Sequence, residues 1–439
     1  MADSNRGSHA GVSRVPESQH FRYRDGLLCA DDVGLEEIAA QFGTPSYVYS
    51  AASIDAAYRS IDAALGAMPH LVAYAVKANS NLAILARLSR AGSGADIVSG
   101  GELARALAAG FSGERIVFSG VGKTEDEIAA ALRADVRSLH AESEQEIDAI
   151  ERVALELGVK ARVALRVNPD VDPGTHPYIA TGLRSSKFGI EIAHARRLLP
   201  RLLQSRALTL EGIACHIGSM VLSPDPVGAA VEIVARFARE CVQAGAKLTT
   251  LDAGGGWPIL YGDEQADAAA HARFGEAIVQ AIRRGGAHDL GLTLVVEPGR
   301  SIVGDAGVVL TRVLYVKEQA GKRFVIVDAA MTELIRPALY GAYHAMVPVR
   351  EAGAAAPRTP ADVVGPVCES GDFLAKDRPL PPLRPGDLIA VRGAGAYGAV
   401  MSSHYNSRPF APEVLVDAGR ARLIRKREAL ESLWRDEII

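Results

Sequence analysis

A lysine closing an apolar run, a run of glycines and a carboxylate two residues before a glycine-arginine pair are the residues of this sequence best suited to chemistry. Lys77 lies in Tyr74-Ala75-Val76-Lys77-Ala78-Asn79, and His216 and Ser219 lie in His216-Ile217-Gly218-Ser219. Gly254, Gly255 and Gly256 form a glycine turn, and Glu297-Pro298-Gly299-Arg300 ends another apolar run. Taken singly, each has a plain reading. Lys77 could be a surface lysine whose stem snorkels, His216 a hydrogen-bonded core residue, the glycines a tight turn, and Glu297 a partner of Arg300. Taken together they form a more specific set. Desolvation lowers a lysine pKa and frees the amine to form a Schiff base. Amides without side chains can approach a phosphate closely, a flat imidazole can stack on a ring, and a carboxylate can keep a pyridine nitrogen protonated. The set asks for pyridoxal 5′-phosphate, whose protonated ring favours loss of CO2 or a proton at a substrate α-carbon.

Such residues need a scaffold that brings them to one rim. Between Leu71 and Glu297, short β-branched runs alternate with longer Ala/Leu/Arg/Glu segments of helical period. The strand candidates are Leu71–Val76, Ala95–Val98, Ile116–Phe118, Ser138–Ala141, Ala161–Val167, Leu210–His216, Thr249–Ala253 and Leu292–Val296. Helical patterns such as Asn81–Ala91, Thr124–Ala134, Ser143–Leu157 and Pro226–Ala244 separate them, several opened by an Asn, Thr or Ser cap. Repeated βα units of this number match a TIM barrel, with a doubly wound open sheet as the structural alternative. Barrel sites form at the C-terminal ends of the strands. Lys77 follows strand one, His216 and Ser219 strand six, the glycine turn strand seven, and Glu297 strand eight. After Glu297 the pattern changes to short strands divided by turns, among them Val308–Tyr315, Arg323–Val327, Ala361–Val364, Leu388–Val391 and Val414–Val416, which reads as an all-β, sandwich-like or barrel-like domain.

Composition removes other classes. The 48 Lys and Arg against 52 Asp and Glu leave a net charge of −4, so no basic field favours nucleic acid. Cys29, Cys215, Cys241 and Cys368 are widely spaced, without a Cys-x-x-Cys pair, which argues against a zinc site or a disulfide framework and for reduced thiols in a cytoplasm. No segment reads as a membrane span, and the polar residues 1–20 read as a disordered lead-in, not a secretory signal. No metal and no nucleic-acid or membrane partner is expected.

The motifs above, with Cys368-Glu369-Ser370-Gly371-Asp372 and Gly393-Ala394-Gly395-Ala396-Tyr397, resemble those of the diaminopimelate decarboxylases, fold-type III enzymes that use pyridoxal 5′-phosphate. The likeness runs from about Phe21 to the C-terminus. It implies decarboxylation of meso-2,6-diaminopimelate to L-lysine, the last step of lysine biosynthesis. It also implies a barrel over residues 45–300, and a β-domain over 301–439 joined by the segment 21–44. A head-to-tail homodimer with shared active sites would follow. By motif position, Lys77 would bind the cofactor covalently and His216 would stack on it. Glu297 would meet the ring nitrogen, and Ser219, Gly254, Gly255 and Gly256 would hold the phosphate, with Gly299, Arg300 and Tyr397 also at the cofactor and Tyr397 near the substrate. Cys368 would be the proton donor, supplied with Glu369 across the dimer. The substrate's distal carboxylate calls for cations. Arg336, in Ile335-Arg336-Pro337-Ala338-Leu339-Tyr340, stands where ornithine decarboxylases lack an arginine, and with Tyr340 and Arg300 it would grip that carboxylate, while Glu369 would pair with the distal ammonium. The chain departs from the family pattern at Trp257-Pro258 and at His404. The alternatives are a decarboxylase of ornithine, lysine, arginine or a carrier-linked substrate, an alanine racemase-like enzyme, and a non-catalytic regulatory homologue; Lys77 and Cys368 speak against the last.

Overall fold

In the computed structural model, residues 19–172, 174, 186–261, 269–353 and 355–439 are described. The lead-in expected over 1–20 therefore falls outside them up to residue 18, as does most of the 170–189 loop.

Eight parallel strands close into a barrel: His70–Ala75, Gly94–Ile97, Ile116–Phe118, Ser138–Ala141, Ala161–Asn168, Leu208–Ala214, Thr250–Asp252 and Thr293–Val296. Leu294 pairs with His70 and Leu139 with Val163, so the ring has no open edge, and the open-sheet alternative is excluded. The strands are short and almost wholly buried, which is why they read as continuous apolar runs and not as alternating ones. The helices begin where their caps predict. Asn81 accepts from the Ala83 amide, Ser143 from Glu146, and Ser223 from Asp225. Thr124 and Glu127 form a reciprocal capping box. The helix Pro224–Gln243 buries Val227, Val231, Val234, Ala238 and Cys241 on one stripe against the barrel.

The second region is a mostly antiparallel sheet of nine strands. Its long strand Gly307–Gln319 pairs on one side with Lys322–Val327, and on others with Leu388–Val391 and Ser46–Ser50. The basic run near Arg422 lies on the terminal strand Arg420–Arg425 of this sheet. Ser46–Ser50 lies within this sheet, parallel to Glu413–Asp417, although the sequence placed it at the start of the barrel. All five of its residues are buried, so it lacks the alternation by which a half-exposed strand is recognised. Residues Phe21–Phe42 form three small strands and a helix, and their Phe21, Leu28, Leu35 and Ile38 pack on Val48, Val308, Val349 and Val414. The β-region also holds a short α-helix, Arg336–Tyr340, with Pro337 in its first turn.

Candidate active site

The first barrel strand ends in a single 3-10 turn, Val76–Ala78, which sets Lys77 on the rim. Its Nζ donates to Asp96 Oδ2 at 2.5 Å, and Asp96, on the second strand, is wholly buried. The sequence reading expects a lowered pKa for Lys77, and here the structure corrects it. Burial does act to lower the pKa, but the carboxylates of Asp96 and Glu297, with Tyr397, outweigh burial and raise it above the ordinary lysine value. The side chain keeps 35% of its surface accessible, so the ammonium is paired yet reachable from the rim.

Beneath Lys77 lies a buried cluster drawn from four strand ends. Glu297 follows strand eight, Asp252 ends strand seven, His140 is in strand four, and Ser119 follows strand three. Ser119 Oγ donates to Glu297 Oε1 at 3.3 Å and is 3.2 Å from His140 Nδ1. His140 stands 3.8 Å from both Asp252 Oδ2 and Glu297 Oε1. Burial raises the pKa of both carboxyls, and repulsion among Asp96, Asp252 and Glu297 raises them further. His140 is pushed down to about 3 by burial and by the charges of Lys123, Arg166 and Lys77, which makes it a neutral imidazole. The ligand atoms of His140, Asp252 and Glu297 lie within 4.8 Å of one another, a spacing that a metal ion also accepts.

Across the mouth, the glycine turn is shaped so that only glycine fits. A Cβ on Gly254 would sit 2.4 Å from the Cys215 carbonyl oxygen, one on Gly255 2.4 Å from that of Glu297, and one on Gly256 2.7 Å from that of Gly218. Gly254 and Gly256 also have φ of +69° and +98°. The Gly255 amide donates to His216 Nδ1 at 3.0 Å, which orients the ring; burial, Arg166 and Lys77 hold that histidine well below its usual pKa, so it is flat and uncharged. A Cβ on Gly299 would lie 2.9 Å from that of Ala78, so the eighth strand's turn packs directly on the lysine turn. Arg300 Nη2 donates to Ser219 Oγ at 3.2 Å, and its guanidinium lies 4.6 Å from the Tyr397 ring. Tyr397 itself adopts a left-handed φ of 54° and donates its amide to Ala78 O at 2.8 Å, beside Lys77.

These residues fit pyridoxal 5′-phosphate. Among the described residues, Arg300 Nε, Ser301 Oγ, Asp96 Oδ1 and Asp252 Oδ2 are buried polar atoms without a hydrogen-bond partner. Native interiors rarely leave such atoms unmatched. A bare-backbone cradle with unmatched donors suits an anion, and a buried carboxyl near an amine suits a pyridine nitrogen and its aldehyde.

The structure brings together Lys77, His216, Ser219, the three glycines, Glu297, Gly299, Arg300 and Tyr397. It also carries Arg336 to this mouth, 6% exposed, with its guanidinium 4.6 Å from the Tyr261 ring; Arg300 donates to the hydroxyl of the same tyrosine, and Tyr340 lies near enough to act on the Arg336 charge. Cys368 and Glu369 stand apart on an exposed turn. Cys368 N donates to Asn406 Oδ1 at 2.8 Å and Glu369 Oε1 accepts from Gly371 N, and among the described residues no hydrogen bond or ion pair joins either to the Lys77 cluster. The sequence reading missed Asp96, His140, Asp252, Tyr261 and Arg166, whose Nη1 donates to Glu142 Oε1 at 2.7 Å. Four of these were detectable as polar residues inside otherwise apolar barrel strands; Tyr261 carried no such signal.

Comparison with known proteins agrees with this geometry. The family described as pyridoxal-dependent decarboxylase, pyridoxal binding domain, matches residues 51–304. A diaminopimelate decarboxylase of Pseudomonas aeruginosa is 51% identical over 417 residues, covering 95% of this chain and 98% of that protein, and one of Vibrio cholerae is 46% identical over 416 residues, covering 94% and 98%. The crystal structure of the Helicobacter pylori diaminopimelate decarboxylase complexed with L-lysine superposes with a TM-score of 0.86 at 43% identity, over 92% of this chain and 98% of that one. That of the M. jannaschii enzyme, also with L-lysine, gives 0.90 at 34% over 95% and 98%. With a closed barrel, a pyridoxal-type lysine and identity of this extent along nearly its whole length, the chain belongs to the diaminopimelate decarboxylase family.

Proposed function

We propose that the chain uses pyridoxal 5′-phosphate to decarboxylate meso-2,6-diaminopimelate at its D-centre, giving L-lysine and CO2. The observation that carries this reading is the pair of guanidiniums, Arg300 and Arg336, set against one tyrosine ring at the mouth of the lysine site. A substrate whose far end bears a carboxylate matches two cations there; ornithine, whose far end is an amine alone, does not.

Lys77 Nζ would hold the cofactor's aldehyde carbon, with Asp96 as the carboxylate that keeps the amine in place and takes up charge. The turn Gly254–Gly256 and Ser219 would hold the phosphate, His216 would cover the ring face, and Glu297 would meet the ring nitrogen. Bound pyridoxal 5′-phosphate supplies the electron sink that stabilises the charge left on the α-carbon when CO2 departs. Glu297, opposite the ring nitrogen, would accept a hydrogen bond from its proton and so sustain that sink. Arg336, Arg300 and Tyr340 hold the distal carboxylate, so that the other end of the substrate is turned toward Lys77. The chain is proposed to act as a homodimer, in which the partner subunit's Cys368 gives its Sγ proton to the α-carbon and regains one from water, and the partner subunit's Glu369 receives the distal ammonium. The exposure of that turn and its separation from the same chain's lysine support this arrangement. A cytoplasmic site of action suits four free cysteines, and among the described residues no helix is long and apolar enough to cross a membrane.

The test is CO2 release by the purified, cofactor-loaded protein from meso-diaminopimelate, L-lysine, L-ornithine and L-arginine. Release from diaminopimelate alone is expected. Turnover of ornithine or lysine without diaminopimelate would overturn the substrate reading.

A further inference from the structure

The cation that faces the substrate's far end is itself held by a residue that takes no part in the chemistry. Arg336 Nη1 lies 2.8 Å from His344 Nε2, and His344 Nδ1 lies 2.9 Å from the Arg392 carbonyl oxygen. A guanidinium can only donate and a carbonyl can only accept, so the imidazole has one arrangement open to it. Nε2 is the acceptor for Arg336, and Nδ1 carries the proton given to Arg392 O. His344 is wholly buried, and its ring packs edge-on to Tyr261 with centroids 5.0 Å apart. That is the same ring on which Arg336 stacks, at 4.6 Å. The charged groups facing the imidazole are Arg336, Arg300 and Arg378, the last donating to the His344 carbonyl at 3.0 Å. All are cations, so a protonated ring is excluded and the acceptor is permanent; burial and these charges push its pKa down to about 3. Among the described residues the Arg336 guanidinium has no other hydrogen bond, so its remaining N–H groups are left for a ligand.

We propose that His344 is the positioning residue of the distal-carboxylate grip: its Nε2, accepting from Arg336 at 2.8 Å, holds that guanidinium flat on Tyr261 and thereby sets the preference for ligands that keep a carboxylate at the far end. This rests on the substrate reading above and deepens it. A free Arg336 side chain would sample many rotamers, and each ligand would have to order it anew. With His344 in place the fork is already formed when the carboxylate arrives.

The experiment compares L-lysine, which retains the far carboxylate, with 1,5-diaminopentane, which has the same carbon chain and lacks it. Each is titrated into the cofactor-loaded protein and followed by the cofactor's absorbance, alongside diaminopimelate kinetics. His344→Asn keeps a donor for Arg392 O but cannot reach Arg336. It should weaken L-lysine binding and raise KM for diaminopimelate by about tenfold to a hundredfold, the scale of a lost charge-assisted bond, with kcat changed less than about threefold. Binding of 1,5-diaminopentane should stay within about twofold, because it makes no use of Arg336. His344→Gln, whose amide oxygen reaches the Nε2 position, should restore L-lysine binding to within about threefold. Loss of both ligands together, or of neither, overturns the proposal, since a general disturbance of the site would not separate them. If the asparagine variant does not fold, His344→Phe keeps the ring volume against Tyr261 and should show the same split. If that also fails, the imidazole 15N shifts of the wild-type protein decide, and a doubly protonated ring refutes it. Failure of the wild type to release CO2 from diaminopimelate would sink the substrate reading while leaving the lysine-against-diaminopentane comparison to judge His344.

Discussion

His140 sits between opposed forces, and its charge state decides how the floor of the site is built. Two carboxyls at 3.8 Å would favour an imidazolium. Burial at 2% exposure and the cations Lys123, Arg166 and Lys77 favour the neutral ring, and they prevail, with its pKa brought down to about 3. An unfolded chain binds a proton on this histidine near pH 6.5, so between that value and about 3 the unfolded state holds a proton that the folded state refuses. The neutral ring's contribution is therefore intact above pH 6.5 and is progressively lost as pH falls. Moving from pH 8 to pH 5 should cost about 2 kcal/mol at this residue alone, a value set by the unfolded pKa as long as the folded one lies well below 5. The assay is urea unfolding of the cofactor-saturated protein at both pH values, wild type against His140→Gln, so that every other titrating group, His344 among them, is common to the pair. Wild type should lose about 2 kcal/mol more than the variant. A smaller loss in wild type would mean that His140 is charged and paired with Asp252 and Glu297, equal losses that folding leaves its pKa unshifted, and either result would bring down the account of a floor made of a neutral imidazole and proton-retaining carboxyls.

Two further outcomes follow from the site. Gly255→Ala places a Cβ 2.4 Å from the Glu297 carbonyl oxygen; the backbone must give way, and we expect destabilisation of about 1–3 kcal/mol together with weakened cofactor binding, measured by thermal unfolding and by cofactor titration. Lys77→Ala and Cys368→Ala should each be inactive alone, but unfolded and refolded together they should recover about a quarter of wild-type CO2 release, because half the dimers are mixed and each mixed dimer keeps one intact site; no recovery would refute the shared site.

Much of this was legible because barrel strands announce their ends. Lys77, Glu297 and the glycine turn each follow a short apolar run, and the position of a residue just past such a run is a geometric statement about the rim. The caps Asn81, Thr124 and Ser143 marked helix starts for the same local reason. What escaped depended on neighbours remote in sequence. The direction of the Lys77 shift required Asp96, which reaches it from the adjoining strand, and burial weighed alone points the wrong way. Asp96, His140 and Asp252 are polar residues within the short, otherwise apolar strands two, four and seven, a signal that reading those strands for polar residues would have caught. The Arg336, His344 and Tyr261 assembly joins two chain segments some eighty residues apart, and no periodicity connects them. Ser46–Ser50 was invisible because a strand buried on both faces shows no alternation.

That strand also carries a consequence for how the protein is made. Its partners are Gly307–Gln319 and Glu413–Asp417, with Tyr49 opposite both Gly307 and Leu415. The entire barrel is thus an insertion between two neighbours of one sheet. A ribosome releases Ser46–Ser50 before the barrel and both strands that flank it after the barrel, so a strand buried on both faces must wait through the synthesis of the whole barrel before it is covered. Once Glu413–Asp417 arrives, the sheet becomes a clasp across the barrel's two ends. Nascent chains that stop short of that strand leave one edge of Ser46–Ser50 unpaired, and the requirement for chaperoning should end at that length and not at the completion of the catalytic barrel.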